Sequence, residues 1–153
     1  MVKGISLRRM RHGDVPGVMD IEKRSFTSPW GAHLFHEEVD RDFSHPVVAV
    51  DEETGRVVGY IIFWVVYDEC HILNIAVDPE RRRQGIGEAL MRHCEEVARA
   101  KRVPYIYLEV RESNRPAISL YKKLGYRFFG LRRGYYTDTK EDALVMAKFL
   151  RRE

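Results

Sequence analysis

Cysteine is scarce: Cys70 and Cys94 are the only two in 153 residues. Two thiols make no disulfide framework and lack the paired Cys/His spacing of a metal site, so no metal and a reducing, cytoplasmic setting are expected. Long apolar runs are missing too, and none approaches the ~20 residues that span a bilayer. The opening MVKGISLRR has no apolar signal region, so neither export nor a membrane role is expected. Charge is not lopsided: a formal +3 demands no nucleic acid, and the aromatics do not interleave with basic residues as on a stacking platform. The phosphate loop G-x-x-x-x-G-K-S/T does not occur, and Leu90 stands where a dinucleotide fingerprint needs its third glycine. Repeats, low-complexity tracts and linkers are lacking, which points to one domain over residues 1–153. At 44% hydrophobic and 32% charged, that domain can bury a sizeable core.

What is present centres on HILNIAVDPERRRQGIGEA, residues 71–89. Ile72, Leu73, Ile75 and Val77 form a β-branched, apolar run with strand character. Asp78-Pro79 stops it, because proline lacks a ladder donor and restricts the residue before it. Arg81, Arg82 and Arg83 follow, then Gln84-Gly85-Ile86-Gly87 and a helical pattern. The first N–H groups of a helix have no internal partners and can bind an anion. Gly85 and Gly87 let backbone approach it, and Arg82 and Arg83 can add charge-assisted contacts. The fragment reads as a pyrophosphate cradle or, more plainly, as a glycine-softened helix start with a solvated basic turn.

In chain order, residues 4–10 read as a strand, and Asp14 as the N-cap of a helix over 15–26. Ser28-Pro29-Trp30-Gly31 breaks that helix before a second over 32–40. Strands over 47–50 and 57–66 flank a polar turn, 51–56, and the central strand makes an antiparallel meander with them. The helix after Gly85 ends near Lys101-Arg102. In the strand 105–110, alternation sets Ile106, Leu108 and Val110 against Tyr105, Tyr107 and Glu109. Ser113-Asn114 caps a helix that Gly125 closes. Strands over 126–131 and 143–149 surround a polar loop, 134–142. The order β-α-α-β-β-β-α-β-α-β-β is a mixed α/β pattern.

Glu109 within a short apolar strand is costly to bury unpartnered and invites a functional reading. It reads equally as a strand-end carboxylate paired with Arg111 or another cation, or solvated. Tyr121, at an apolar helical position, is a ring for packing or a phenol that holds a transferable proton. Trp30 reads first as core. Cys94 could be a nucleophile, but its apolar helical neighbours favour inert packing.

Arg82-Arg83-Gln84-Gly85-Ile86-Gly87 resembles the R/Q-x-x-G-x-G/A signature of the GNAT superfamily of N-acetyltransferases. Leu108-Glu109-Val110-Arg111, Ser113-Asn114, Ala117-Ile118, Leu120-Tyr121 and Leu124-Gly125-Tyr126 resemble its RimI-type ribosomal-protein alanine branch and that branch's archaeal relatives. Arg133-Gly134-Tyr135-Tyr136, Glu141-Asp142-Ala143 and Ser28-Pro29-Trp30 match as well, though Gly31 stands where the bacterial branch commonly has serine. The resemblance implies a mostly antiparallel sheet, flanked by helices, that splays between its fourth and fifth strands for the pantetheine arm of acetyl-CoA. It implies cofactor contacts from Ile75, Ala76, Val77, Arg82, Arg83, Gln84, Gly85, Ile86, Gly87, Glu88 and Asn114, with Glu109 as general base and Tyr121 as general acid. Trp30, Tyr135 and Tyr136 would shape the acceptor pocket. The implied reaction moves acetyl to a protein N-terminal α-amine, that of a ribosomal-protein alanine in the bacterial branch and of varied N-termini in the archaeal one. A lysine or small-amine acetyltransferase and a non-catalytic acetyl-CoA-binding module are the alternatives; the oligomeric state is left open.

Overall fold

The first strand, β1 (Ile5–Arg9), leads through a short 3-10 turn into α1 (Val15–Ser25) and α2 (Ala32–Asp40). Three strands follow, β2 (Ser44–Asp51), β3 (Val57–Val66) and β4 (Glu69–Val77), then a second 3-10 turn and α3 (Ile86–Ala100). The chain closes with β5 (Tyr105–Arg111), α4 (Arg115–Lys123), β6 (Arg127–Tyr136) and β7 (Glu141–Phe149). This computed structural model describes residues 2–150; Met1 and residues 151–153, which the expected domain also spans, lie outside the described residues.

The expected order of elements holds, and one seven-stranded sheet collects all the strands in the order β1-β2-β3-β4-β5-β7-β6. Every neighbouring pair is antiparallel except β4 and β5. Apolar side chains divide the layers. Ile86, Leu90, Met91 and Cys94 of α3, Tyr121 of α4 and Leu124 just after it pack on one face with Ile106, Leu108 and Val110. Val15, Val18 and Ile21 of α1 and Phe35 of α2 cover the other, over Val48, Tyr60 and Ile62.

Three local expectations are corrected. Asp14 does not cap α1 with its side chain. Arg8 holds the carboxylate from both ends, at 2.7 and 2.8 Å, and the Arg11 N–H reaches it at 2.8 Å, so it closes the preceding 3-10 turn instead. Strand β2 starts at Ser44, because Pro46 sits beyond the rung Arg9↔Val47 and needs no donor towards β1. The polar loop is shorter than 134–142: β6 runs to Tyr136 and β7 begins at Glu141, paired across Arg132↔Ala143 and Tyr136↔Glu141.

The functional centre follows from one pairing. Parallel strands β4 and β5 are matched only at Cys70↔Ile106, His71↔Tyr107 and Ile72↔Leu108. Both continue for several residues beyond, so they part, and a gap opens through the sheet. Strand β4 also shifts register at this point, Ile72 facing Phe63 and Asn74 facing Ile62, which leaves Leu73 as an inserted residue.

Candidate active site

The gap has donors along one wall. The Asp78 N–H bonds Val58 O at 2.8 Å, and antiparallel ladders alternate, so the N–H groups of Ile75 and Val77 point away from β3 and into the gap. The Ala76 N–H faces β3 by the same alternation and is no donor to the gap, which narrows the expected set of three. Two preorganised N–H groups beside an opening suit a carbonyl oxygen that gains charge.

At the end of that wall the chain turns sharply. Asp78, buried, accepts the Glu80 N–H at 2.9 Å and the Arg24 guanidinium at 3.1 Å, which fixes the turn. Arg83 (φ 62°) and Gly85 (φ 85°) then take left-handed backbone before α3 starts. Glycine accepts that conformation at position 85 without strain. The start of α3 thus presents unpaired N–H groups at the mouth of the gap, with Arg82 and Arg83 exposed beside it. Other expected contacts are already engaged. The Gln84 amide oxygen accepts from Arg81 at 3.1 Å, Glu88 pairs with Lys123 at 3.3 Å, and the Ile86 side chain is core. A Cβ on Gly87 would touch Leu120 at 3.4 Å and Val77 at 3.7 Å, so this glycine brings α4 close to α3. Asn114 caps α4, accepting the Ala117 N–H at 3.3 Å.

Glu109 stands on the α1/α2 face of β5, its side chain 8% exposed. Its partners are not Arg111. His71 Nε2 lies 2.6 Å from one carboxylate oxygen and Arg132 Nε 3.3 Å from the other. The His71 ring stacks on Tyr107, 4.3 Å between centroids and 4° from parallel. Burial raises the Tyr107 phenol pKa, and Glu69 and Glu109 add to it. Tyr121 belongs to the opposite face, where α4 flanks the gap beside α3, and its ring is 6.1 Å from that of Tyr126. Burial first, then neighbouring Tyr136, pushes its phenol above the ordinary range, so it holds its proton firmly.

A roof spans the α1/α2 side. Asp138, in the β6–β7 turn, accepts from Thr27 at 2.7 Å, Ser28 at 3.0 Å and Arg111 at 2.7 Å, joining that turn to the α1–α2 loop. Arg111 also lies 4.1 Å below the centre of the Tyr136 ring, and Tyr135 meets Tyr136 edge-on at 5.1 Å. Burial and Tyr135 push Tyr136 up to about 12. The Trp30 ring packs on Phe35 at 5.1 Å, and the Trp30 backbone N–H donates to Glu22 at 2.9 Å. Glu22, 1% exposed, also takes the Tyr60 hydroxyl and the Asn74 amide.

Glu109, Tyr135 and Tyr136 are therefore brought together, with Tyr121 on the opposite face of the sheet; Trp30 packs instead on Phe35 in the α1/α2 layer. Sequence reasoning missed His71, Arg132, Asp138 and Glu22. His71 shares a strand face with no local motif to mark it, and Asp138 looks like any turn aspartate until Thr27 and Ser28 meet it. Cys94 is fully buried with its sulfur 3.6 Å from that of Cys70, and burial raises its thiol pKa, which opposes a nucleophilic role.

Residues 15–126 match the sequence profile of the acetyltransferase (GNAT) family. A Bacillus subtilis (strain 168) relative, provisionally named a ribosomal protein bS18-alanine N-acetyltransferase, is 44% identical over 142 residues, 92% of this chain and 93% of its own. The ribosomal protein bS18-alanine N-acetyltransferase of Escherichia coli (strain K12) is 38% identical over 136 residues, 88% of this chain and 90% of its own. The crystal structure of the Escherichia coli ribosomal-protein-S18-alanine N-acetyltransferase superposes with a TM-score of 0.87 at 34% identity, covering 97% of this chain and 96% of that one. Ard1 from Thermoplasma volcanium superposes with a TM-score of 0.88 at 28% identity, covering 97% and 99%.

Proposed function

The chain belongs to the acetyltransferase (GNAT) family, and from that membership we propose that it acetylates the N-terminal alanine of a ribosomal protein of the bS18 type. It is an acetyl-CoA-dependent N-acetyltransferase by family, and residues 1–153 act as one catalytic unit. The observation that carries the finer reading is Glu109. A nearly buried carboxylate stands at the parted strands, oriented by His71 and roofed by the Asp138 bridge. That position suits a base for an amine entering from the α1/α2 face.

The cofactor is held from the other face. The N–H groups at the start of α3, with Arg82 and Arg83, take the pyrophosphate, and the pantetheine arm lies in the gap. Ile75 and Val77 N–H groups steady the thioester oxygen. The amine nitrogen attacks the thioester carbonyl carbon, Glu109 takes the proton that nitrogen sheds, and the C–S bond breaks. Tyr121 gives its proton to the departing thiolate, which suits a phenol whose proton burial retains. Trp30, Tyr135 and Tyr136 line the way in for the peptide. The partner is a ribosomal protein in the cytoplasm. Among the described residues, no helix is long and apolar enough to cross a membrane.

Mass spectrometry of acetyl-CoA reactions with short peptides, α-amine free or blocked, tests the acceptor. Product confined to free Ala-led peptides is expected. Broad N-terminal acetylation would favour an acceptor range unlike that in the two bacterial relatives' names, and acetylation of blocked peptides at lysine would overturn the N-terminal reading. Glu109→Gln and Tyr121→Phe are each expected to lower kcat by about 100-fold or more while acetyl-CoA binding stays near normal.

A further inference from the structure

Both oxygens of Glu109 are engaged, but the two contacts differ in kind. His71 is pinned by stacking on Tyr107, and Glu109 itself is 8% exposed. The Arg132 side chain is 53% exposed and meets the carboxylate through Nε at 3.3 Å. Its guanidinium carbon lies 5.7 Å from the centre of the Tyr135 ring. Arg132 therefore reaches from the carboxylate towards the aromatic residues of the acceptor side.

A buried carboxylate with no cation beside it would act against the reaction. An α-amine has an unperturbed pKa near ~8, so at pH 7 it arrives mostly as the ammonium, which has no lone pair for attack. An opposite charge within ~4–6 Å favours that charged form, and a like charge disfavours it. Glu109 alone would hold the unreactive species. We infer that Arg132 balances the charge of Glu109, so that the groove accepts the acceptor α-amine in its neutral, nucleophilic form. The ammonium's extra proton passes to solvent on binding, and Glu109 remains free for the proton released when the C–N bond forms.

The surrounding groups support that assignment. His71 and Glu69 of β4, Tyr107 and Arg111 of β5, Tyr135 and Tyr136 of β6 and Glu141 of β7 stand around this pair. Arg111 is committed to Asp138 at 2.7 Å and Glu141 at 3.6 Å, and Glu69 accepts from Tyr105 at 2.8 Å. Thr27 and Ser28, which the α1–α2 loop brings to this side, carry no charge. Among the described residues, Arg132 is thus the arginine that pairs with Glu109. The inference rests on reading Glu109 as the base, and concerns which protonation state of the amine is bound.

The test is kcat against pH with a short peptide bearing a free N-terminal alanine, for the parent enzyme, Arg132→Gln, Arg132→Lys and Glu109→Gln. Arg132→Gln is expected to move the acid limb up by about one pH unit, lowering turnover at pH 7 about tenfold. The KM for acetyl-CoA stays unchanged, and Arg132→Lys restores the limb. A peptide opening with the less basic β-fluoroalanine is expected to move the parent's limb down, which identifies it as that of the amine. A limb that ignores the fluorine, or that stays in place in Arg132→Gln, overturns the role of Arg132. So does faster turnover of Arg132→Gln at pH 7, the mark of a steric gate. Unchanged turnover in Glu109→Gln is a separate result, and overturns the base assignment.

Discussion

A carboxylate offers only acceptors, so the 2.6 Å contact with Glu109 assigns a proton to Nε2 of His71. The imidazole then orients the carboxylate without needing to carry charge. Its flat stacking on Tyr107 fixes the ring in the plane that this bond requires. If orientation is the whole of its contribution, any donor at that point should serve. His71→Gln places an amide N–H near the same position and is expected to keep kcat within about threefold of the parent, whereas His71→Ala should lose about tenfold or more, as expected when a base is left unpositioned. Steady-state kinetics on an Ala-led peptide separates the two. Equal losses in both variants would mean that the imidazole itself exchanges protons during turnover.

At the scale of elements, the cradle depends on how closely α3 lies on the sheet. Gly59 of β3 sits under its first turn, and a Cβ there would come within 3.1 Å of Ile86 Cγ2 and 3.2 Å of the Ala76 carbonyl oxygen. The side chain could yield, but the backbone oxygen cannot. Gly59→Ala is therefore expected to destabilise the fold by about 1–3 kcal/mol, the usual range for overpacking. It should also raise the KM for acetyl-CoA more than that for peptide, because the start of α3 is displaced; urea unfolding and the two KM values check this. Periodicity within a single element explains what could be read early. The two faces of β5, the glycine turn before α3 and the Asn114 cap are local patterns, and each was legible in the sequence. Contacts between elements were not. His71 meets Glu109 across 38 residues because the β4–β5 register places it there, and Arg132 arrives from β6, beyond β7. Strand β6 also gave little signal at its far end. It is exposed along most of its length and held by pairing with β7, so no buried alternation marks residues 134–136 as strand.

Across the whole molecule, ion pairs tie together elements that the hydrophobic layers leave apart, and their titration sets how the fold responds to acid. Arg8 holds Asp14, Arg81 holds Asp51 and Arg111 holds Asp138, and each keeps its partner's carboxyl below the ordinary 3.8. A carboxyl with a depressed folded pKa contributes stability that is present above the unfolded value and is lost as pH falls through the folded one. The stability these three pairs contribute should therefore begin to fade below about pH 4. The contacts of β1 with its turn, of the β2–β3 turn with the approach to α3, and of the β6–β7 turn with the α1–α2 loop persist until pH approaches the lower folded values. His45 acts in a higher window. Its ring stacks on Phe63 at 5.0 Å, and burial, with Lys101 nearby, lowers its pKa from the ordinary 6.5. The unfolded chain then binds a proton that the folded one refuses, so stability falls as pH drops below about 6.5 towards the folded value. Urea midpoints measured from pH 8 to pH 3 should stay level at first, decline gently below about 6.5 and steeply below about 4. His45→Gln should remove the gentle decline and leave the steep one. If the gentle decline survives that substitution, another group carries it; if Asp138→Asn leaves the steep one unchanged, the roof over the acceptor groove adds nothing to global stability and serves peptide binding alone.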